Sequence, residues 1–245
     1  GTWQCLIPMR FKKKNTMNKI LVVAAHPDDE VLGCGGTMAR LAMEGNDVYT
    51  LILGEGITAR DMERDRINRE KDLGELKNHI VKANKLLGVK KTYTFDFPDN
   101  RFDTVALLDI IKTIEEVKGD VSPDIMFTHH HGDLNVDHNI TFKAALTACR
   151  PIKGESVKEV YSFEIPSSTE WNAPSSITYF MPDYFVDVSK SIEAKINALK
   201  EYKTELRDFP HPRSLEALEL NAKQWAIKVG LEVAEAFKTI RLIKK

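Results

Sequence analysis

Apolar and polar positions along the first part of the chain fit a βαβ unit. Residues 20–25 form an uninterrupted apolar run, which is typical of a strand buried on both faces. A helical pattern follows around residues 32–43, and residues 48–53 form a second buried run. Two buried strands that are joined by a helix of this length predict a parallel sheet.

The alternation continues through most of the chain. It predicts a loop over 54–69, or a loop that leads into a surface helix, and a helix that continues over 80–87 and is stopped by Gly88. It then predicts a strand over 91–97, a helix over 104–118 closed by Gly119, a strand over 124–128 and a helix over 139–149. Beyond Pro151 it predicts a strand over 184–188, a helix over 189–202 with Ser189 as its N-cap, and a helix over 214–229. We therefore predict an α/β fold: a Rossmann-like, doubly wound, mostly parallel sheet with helices on both faces.

The domain organisation is simple. No internal repeat or Pro/Gly/Ser-rich linker divides the chain, so residues 19–245 are predicted to form one domain. Residues 1–18 differ from it: an apolar stretch precedes the basic residues, the reverse of a secretory signal. We interpret this extension as a leader, a cloning remnant or a disordered arm.

Composition excludes several classes of protein. The 245 residues include 35 Lys and Arg against 36 Asp and Glu, and this balance argues against nucleic acid as a partner. No apolar run approaches the roughly 20 residues that span a bilayer, so no integral membrane segment is expected. The three cysteines form no CxxC pair, which argues against a disulfide scaffold and favours a reducing, cytoplasmic location.

Histidines cluster where chemistry is expected. Five of the seven lie directly after two predicted strands, at His26 and within residues 129–138. Ligands of an open parallel sheet bind at the carboxyl ends of its strands. His26, Asp29 and His138 offer the two imidazoles and one carboxylate typical of a catalytic zinc, which lowers the pKa of its bound water. Asp28 could then accept the proton. A helix N-cap formed by the acidic pair, with structural histidines, is the alternative.

The motifs at these residues resemble a known family. Residues 25–30, with the sequence AHPDDE, are similar to the signature of the PIG-L/LmbE-like N-deacetylases, and Asp137-His138 resembles the end of the family's second motif. Weaker similarity extends roughly from Lys19 to Arg241. The resemblance implies a Rossmann-like fold, one divalent metal (usually Zn²⁺, with Fe²⁺ as an alternative) and hydrolysis of an N-acetyl group on an amino sugar or its conjugate.

The resemblance also implies roles for single residues. His26, Asp29 and His138 match the metal ligands, Asp28 matches the general base that activates the metal-bound water, and Asp137 matches the residue that supports the last ligand.

One position departs from the family pattern. Asn135 stands where the family commonly has a histidine; its amide can donate a hydrogen bond to an oxyanion but cannot act as an acid near neutral pH. Proton delivery then falls to Asp28 after it has taken a proton, or to another group. The candidate histidines are His129, His130, His131 and His211.

The substrate-binding residues are less defined. Leu76 occupies the place where several members of the family have an arginine, and Arg60, Arg69 or Lys77 could substitute for it. Asp99, Asn100 and Arg101 follow a predicted strand, where they could contact sugar hydroxyls or form a simple turn. His211 lies in a Pro-His-Pro-Arg loop that could close over the site.

Two other functions stay open at this stage. In a phosphatase-like hydrolase, Asp28 would be the nucleophile and Glu30 the acid, but His26 and His138 would then be unexplained. A non-catalytic sugar or nucleotide binder would account for the missing histidine, although a binder needs no open metal site with a base. We expect a small-molecule partner, an N-acetylated amino sugar or a conjugate of one. The identity of that sugar, the metal and any homo-oligomer stay open.

Overall fold

The computed structural model describes residues 17–60 and 63–244, without the side chain of Arg60. The N-terminal extension predicted over residues 1–18 therefore lies almost entirely outside the described residues. The strands are β1 (Lys19–Ala24), β2 (Asp47–Gly54), β3 (Lys91–Phe97), β4 (Ile125–His129), β5 (Glu159–Phe163), β6 (Tyr184–Asp187) and β7 (Ala234–Leu242). The helices are α1 (Asp29–Met43), α2 (Glu70–Leu86), α3 (Leu107–Val121), α4 (Val136–Ala148), α5 (Ile192–Glu201) and α6 (Leu215–Ile227). Within the described residues, no helix is both long and apolar enough to cross a membrane.

The strands form one mixed sheet in the order β3-β2-β1-β4-β5-β7-β6. The pairs β1–β2, β1–β4, β2–β3 and β4–β5 are parallel, whereas β7 runs antiparallel to β5 and β6. The strand order reverses between β1 and β4, and an open α/β sheet forms its ligand crevice at such a switch point. The predicted α/β, mostly parallel fold is confirmed.

Strand β1 divides the core between the two faces of the sheet. Its residues 20, 22 and 24 pack in a cluster with residues of α1, α2 and α5, while residues 21 and 23 join a cluster with α3 and α4. All five of these side chains are fully buried. The apolar run that predicted a doubly covered strand therefore supplies both hydrophobic layers.

Helix α2 begins at Glu70, directly after the predicted loop, and its first turns face solvent and carry no apolar stripe. Two other helix boundaries differ from the prediction. Helix α3 continues past Gly119 and ends at Val121, where Ser122 adopts the left-handed conformation with φ 51°. The N-cap of α5 is Ser191, whereas Ser189 donates hydrogen bonds to the Asp187 side chain in the preceding turn.

The glycines of α1 allow a close approach between this helix and the sheet. A Cβ atom on Gly33 would lie 2.2 Å from Cδ2 of Phe163 in β5. Such a distance is far inside van der Waals contact, so only glycine fits without displacing the aromatic ring. This close contact holds the start of α1, where the candidate chemistry lies, against the sheet.

Candidate active site

The loops after β1 and β4 meet at the switch point of the sheet. Asp28 has φ 96° at the N-cap of α1, and this sharp turn separates its side chain from that of Asp29. The turn is held by the backbone N–H of His26, which donates to Oδ2 of Asp29 at 2.9 Å. Across the crevice, Asn135 caps α4, because its Oδ1 accepts from the backbone N–H of Asp137 at 2.8 Å. Both loops are therefore anchored at helix N-termini.

The structure brings the three predicted metal ligands together. Candidate ligand atoms of His26, Asp29 and His138 lie within 4.8 Å of one another. Oδ2 of Asp29 is 3.3 Å from Nδ1 of His26 and 3.2 Å from Nε2 of His138. Two imidazoles and one carboxylate make a donor set that suits zinc and leaves a coordination position open.

The surroundings of His138 fit a bound cation. Its imidazole is buried, yet neither ring nitrogen makes a well-directed hydrogen bond with the described residues. Nδ1 lies 3.0 Å from Oδ1 of Asp133, whose Oδ2 accepts from the hydroxyl of Thr169 at 2.6 Å. A carboxylate behind the second nitrogen is what orients a metal-binding histidine. This arrangement leaves Nε2 of His138 for an ion.

The pKa values of the group show that the location attracts positive charge. Burial alone lowers the pKa of His138, but Asp29 and Asp133 outweigh it and raise that pKa to about 9. Burial raises the pKa of Asp29, but His138 and His26 outweigh it and hold that pKa well below its usual range. Burial likewise opposes ionisation of Asp133, but His138, Ser168 and Thr169 bring its pKa to about 2. A cation is therefore favoured among these side chains.

A second acidic group shares His26, but its members are already hydrogen-bonded. Candidate ligand atoms of His26, Asp99 and Asp137 also lie within 4.8 Å of one another. Nε2 of His26 is 2.8 Å from Oδ2 of Asp137, whose Oδ1 accepts from the backbone N–H of Phe102 at 2.9 Å. Asp99 accepts from the backbone N–H of Ala59 at 3.1 Å. These carboxylates orient His26 and the loops around it, and Nδ1 of His26 stays directed toward Asp29.

Asp28 lies beside the metal-ligand group and contacts an arginine that the sequence did not reveal. Burial raises the pKa of Asp28 well above its usual range, although Arg213 opposes this rise. Nη1 of Arg213 donates to Oδ2 of Asp28 at 3.1 Å. Nε of Arg213 donates to the hydroxyl of Ser167 at 2.9 Å, which fixes the direction of the guanidinium. The sequence singles out the Pro-His-Pro-Arg loop for His211, but the residue of this loop that contacts Asp28 is Arg213, two positions later.

A cleft of about 270 Å³ opens over these residues. Its polar lining consists of His26, Asp28, Asp29, Asp99, Asn100, Asn135, Glu205 and Arg213. Leu76 also lines the cleft, at the place where the family pattern has an arginine. Arg101 and His211 do not belong to the described lining.

Of the residues considered as substitutes for the missing arginine, Arg69 and Lys77 are not part of the described cleft lining. The guanidinium of Arg69 pairs with Asp72 at 2.9 Å, and Lys77 lines a separate hollow against β3. The side chain of Arg60 lies outside the described residues. Arg213 is therefore the arginine that the described structure brings to the cleft.

The remaining histidines do not reach the cleft. Nε2 of His129 accepts from the backbone N–H of Ala25 at 2.8 Å, and its ring stacks on that of His138 with centroids 4.0 Å apart. Burial and the neighbouring His138 hold the pKa of His129 well below its usual range, so this ring is neutral. His130 and His131 contact the carbonyls of Thr178 and Ile177, while Nδ1 of His211 accepts from the backbone N–H of Arg213.

The side chains of Asn135 and Glu30 form hydrogen bonds with residues that support the site. The amide nitrogen of Asn135 donates to Oδ1 of Asn100 at 2.8 Å while its oxygen caps α4. Glu30 is fully buried, and its Oε1 accepts from Tyr202 at 2.7 Å and from Asn84 at 3.0 Å. Burial raises the pKa of Glu30 to about 7, with Tyr202 and Asn84 opposing the rise. Glu30 therefore supports the turn under Asp28 and is not accessible to a substrate.

Comparisons with known proteins place these residues in a family. Residues 21–149 match the family described as PIG-L, GlcNAc-PI de-N-acetylase. The Escherichia coli K12 protein named "Uncharacterized deacetylase YaiS" is 30% identical over 196 residues, covering 78% of this chain and 93% of that protein. The diacetylchitobiose deacetylase of Thermococcus kodakarensis is 22% identical over 206 residues, covering 78% of this chain and 71% of that protein.

One solved structure with the same fold belongs to an enzyme that is named for a different reaction. The 4-carboxy-2-hydroxymuconate hydratase GalB of Pseudomonas putida KT2440 superposes with a TM-score of 0.71 at 22% identity, covering 94% of this chain and 99% of that one. The likeness shows the fold alone, since one fold hosts many reactions. The family match covers more than half of the chain and includes the loops after β1 and β4, and the match to the Escherichia coli relative covers 78% of the chain. The chain belongs to the PIG-L family of GlcNAc-PI de-N-acetylases.

Proposed function

We propose that this protein is a zinc-dependent N-deacetylase that removes the acetyl group from an amino sugar or an amino-sugar conjugate. The observation that carries the proposal is the position of Asp28, a buried carboxylate that lines one cleft together with His26 and Asp29, while His138 completes the group of candidate ligands beneath them. An amide hydrolase needs an electrophilic centre and a base next to it, and the cleft offers residues for both.

The metal-ligand group would hold the ion. His26, Asp29 and His138 match the ligand types of a catalytic zinc, and Asp133 and Asp137 orient the two imidazoles from behind. Such an ion supplies Lewis acidity toward a carbonyl oxygen and lowers the pKa of a nearby water. Fe²⁺ is the alternative, because imidazole and carboxylate ligands suit it as well.

Asp28 would move the proton in both directions. It takes a proton from the attacking water and returns it to the leaving amine, so that no separate acid is required. Burial raises the pKa of Asp28, which makes its protonated form accessible for the second step. The other described histidines near the site are bound to carbonyls or backbone amides, so they do not compete for this role.

The rest of the cleft supports a polar substrate. Asp99, Asn100 and Asn135 offer amide and carboxylate groups that suit sugar hydroxyls, and Arg213 contributes a positive charge beside Asp28. The amide of Asn135 would reach an oxyanion only by leaving Asn100. The name of the Thermococcus kodakarensis relative, diacetylchitobiose deacetylase, supports an N-acetylglucosamine unit as the reacting part.

Each of the two alternative functions meets a physical objection. A phosphatase would use Glu30 as its acid, but that carboxylate is buried and bonded to Tyr202 and Asn84. A pure binding protein has no use for a base beside an open metal site.

An acetate-release assay tests the proposal. The zinc-loaded protein is incubated with N-acetylglucosamine and with N,N′-diacetylchitobiose, and free acetate and amine are measured. We expect equal amounts of both products, and loss of turnover after chelation with recovery on adding zinc. Release of phosphate from p-nitrophenyl phosphate in magnesium, without acetate from either sugar, would contradict the proposal and favour the phosphatase function.

A further inference from the structure

The backbone of Asp28 adopts a conformation that other residues must hold. Its φ of 96° and ψ of −28° lie in the left-handed region, which residues with a side chain rarely occupy. Its carbonyl accepts from the backbone N–H groups of Val31 and Leu32 at 3.0 and 2.8 Å, while its own N–H donates to Oε2 of Glu30 at 3.0 Å. The direction of the Asp28 carboxylate follows from this backbone, so the group that holds the N–H also aims the carboxylate.

Glu30 is itself held by residues from two distant elements. Its Oε1 accepts from the hydroxyl of Tyr202, directly after α5, at 2.7 Å, and from the amide of Asn84 in α2 at 3.0 Å. The amide oxygen of Asn84 accepts in turn from the hydroxyl of Thr50 in β2 at 3.0 Å. All four of these side chains are buried. A buried network in which each member has its partners fixes the positions of its groups.

This network differs from an ordinary helix cap. The acid of a capping box reaches back to the N–H of the N-cap residue and needs no partner of its own. Here the acid is inside the protein, and Tyr202 holds it from a position 172 residues away along the chain. Neither Tyr202 nor Asn84 belongs to the described lining of the cleft. Their contact with the chemistry therefore runs through Glu30 to the backbone of Asp28.

We propose that Tyr202 is a positioning residue for the base: with Asn84 as the second donor, it holds Glu30 so that Glu30 fixes the N–H of Asp28 and aims its carboxylate. The inference rests on the proposed function, because it takes Asp28 as the base. Loss of the Tyr202 hydroxyl then lowers kcat, because a catalytic group must be held close to its productive geometry. KM and metal content stay unchanged, since Tyr202 lies outside the cleft lining.

A matched pair of hydroxyl deletions tests this role. Tyr202→Phe removes only the oxygen that contacts Glu30, and Tyr161→Phe is the control, because the buried Tyr161 of β5 likewise donates to a glutamate, Glu159, at 2.7 Å. Each variant loses one hydrogen bond between a tyrosine and a glutamate, so both should lower the urea midpoint by a similar amount.

The two variants should differ in catalysis. We expect kcat for acetate release from N,N′-diacetylchitobiose to fall by about tenfold in Tyr202→Phe, with KM and zinc content unchanged, and to stay at the wild-type value in Tyr161→Phe. A purely structural role for Tyr202 predicts equal kcat in the two variants, and that result would overturn the proposal. A rise in KM without a fall in kcat would overturn it as well.

Hydrogen exchange separates the positioning role from the reaction. The exchange rate of the Asp28 backbone N–H is measured by NMR in wild type and in both variants, without substrate. We expect exchange about fivefold faster in Tyr202→Phe than in Tyr161→Phe, because the acceptor of this N–H is no longer held. Equal exchange in the two variants would overturn the proposal. If no sugar releases acetate, the proposed function fails, while this measurement still decides whether Tyr202 holds the turn at Asp28.

Discussion

Arg213 and Asp28 are separated by 185 positions in the sequence, yet the guanidinium of one lies 3.1 Å from the carboxylate of the other. Asp28 is fixed at the start of α1 by its left-handed backbone, and Arg213 is fixed by Ser167 and Pro166. The contact therefore joins the loop after β1 to the loop before α6 in the cleft that His26 and Asp29 also line. It orients the carboxylate that we assign as the base.

Arg213→Gln should lower kcat/KM for acetate release by about ten- to a hundredfold. The reason is loss of a charge-assisted hydrogen bond to Asp28, which is worth roughly 1.5–3 kcal/mol. Metal content should not change, because Arg213 is not a candidate ligand. Arg207→Gln is the control, since that guanidinium contacts carbonyls of its own loop. Unchanged kinetics in the Arg213 variant would show that the contact does not orient the base.

Asp28→Asn should retain the metal and lose most turnover. Asparagine keeps the size of the side chain but cannot accept a proton, and general-base catalysis contributes about a hundred- to ten-thousandfold. Acetate release and metal content are measured on the same preparation. The exposed Asp208→Asn is the control and should retain activity. Wild-type turnover in Asp28→Asn would remove the base assignment.

Gly33→Ala should destabilise the fold, whereas Gly74→Ala should not. Both glycines are helical, but a Cβ at position 33 meets the ring of Phe163 at 2.2 Å, and a Cβ at position 74 meets nothing within 4 Å. Urea unfolding should show a loss of about 1–3 kcal/mol for the first variant. The second should gain about 0.5–1 kcal/mol from helix propensity. Equal stabilities for the two variants would contradict the close packing of α1 on β5.

The pair between Glu155 and Lys118 should make stability depend on pH. Burial opposes ionisation of Glu155, but Lys118 at 2.6 Å and the backbone N–H of Val157 outweigh it and lower its pKa from 4.5. When folding lowers the pKa of a carboxyl group, its ionisation stabilises the fold. This stabilisation is fully present above the pKa of the unfolded protein and is lost as the pH falls through the pKa of the folded protein.

Glu155→Gln should therefore reduce the free energy of unfolding by about 1 kcal/mol at pH 7, and the difference from wild type should shrink below pH 4.5. Urea unfolding at a series of pH values measures this difference. The exposed Glu219→Gln should show no such trend. If the difference in free energy of unfolding between wild type and Glu155→Gln grows as the pH falls, folding does not lower the pKa of Glu155.

The sequence predicted the elements whose pattern is local. The apolar run at β1 and the strand at β3 follow from local patterns. The cluster of His26, Asp29 and His138 follows from two local motifs together with the rule that ligands bind at the carboxyl ends of parallel strands. Strands β5 and β7 were not predicted, because Ser162 and Glu235 interrupt their apolar pattern although both are buried. Glu235 is tolerated there because Lys195 pairs with it at 2.6 Å, a contact between distant segments.

The part of the site that sequence reasoning missed has the same physical origin. Arg213 reaches Asp28 only after α6 and the loop before it have packed against the sheet, so no periodicity or spacing signals the contact. The hydrogen bonds that remove His130, His131 and His211 from the cleft are also set by loop packing. Motifs located the two loops, and tertiary contacts decide which side chains enter the cleft.

The most direct test of the central claim is the metal content per chain of wild type and of His138→Ala after mild purification and zinc loading. His79→Ala, on α2 and outside the cleft lining, is the control. We predict about one zinc per chain in wild type and control, and little in His138→Ala, as expected when one of three protein ligands is lost. Wild-type protein that retains no metal, or a His138→Ala variant that retains it fully, would contradict the account.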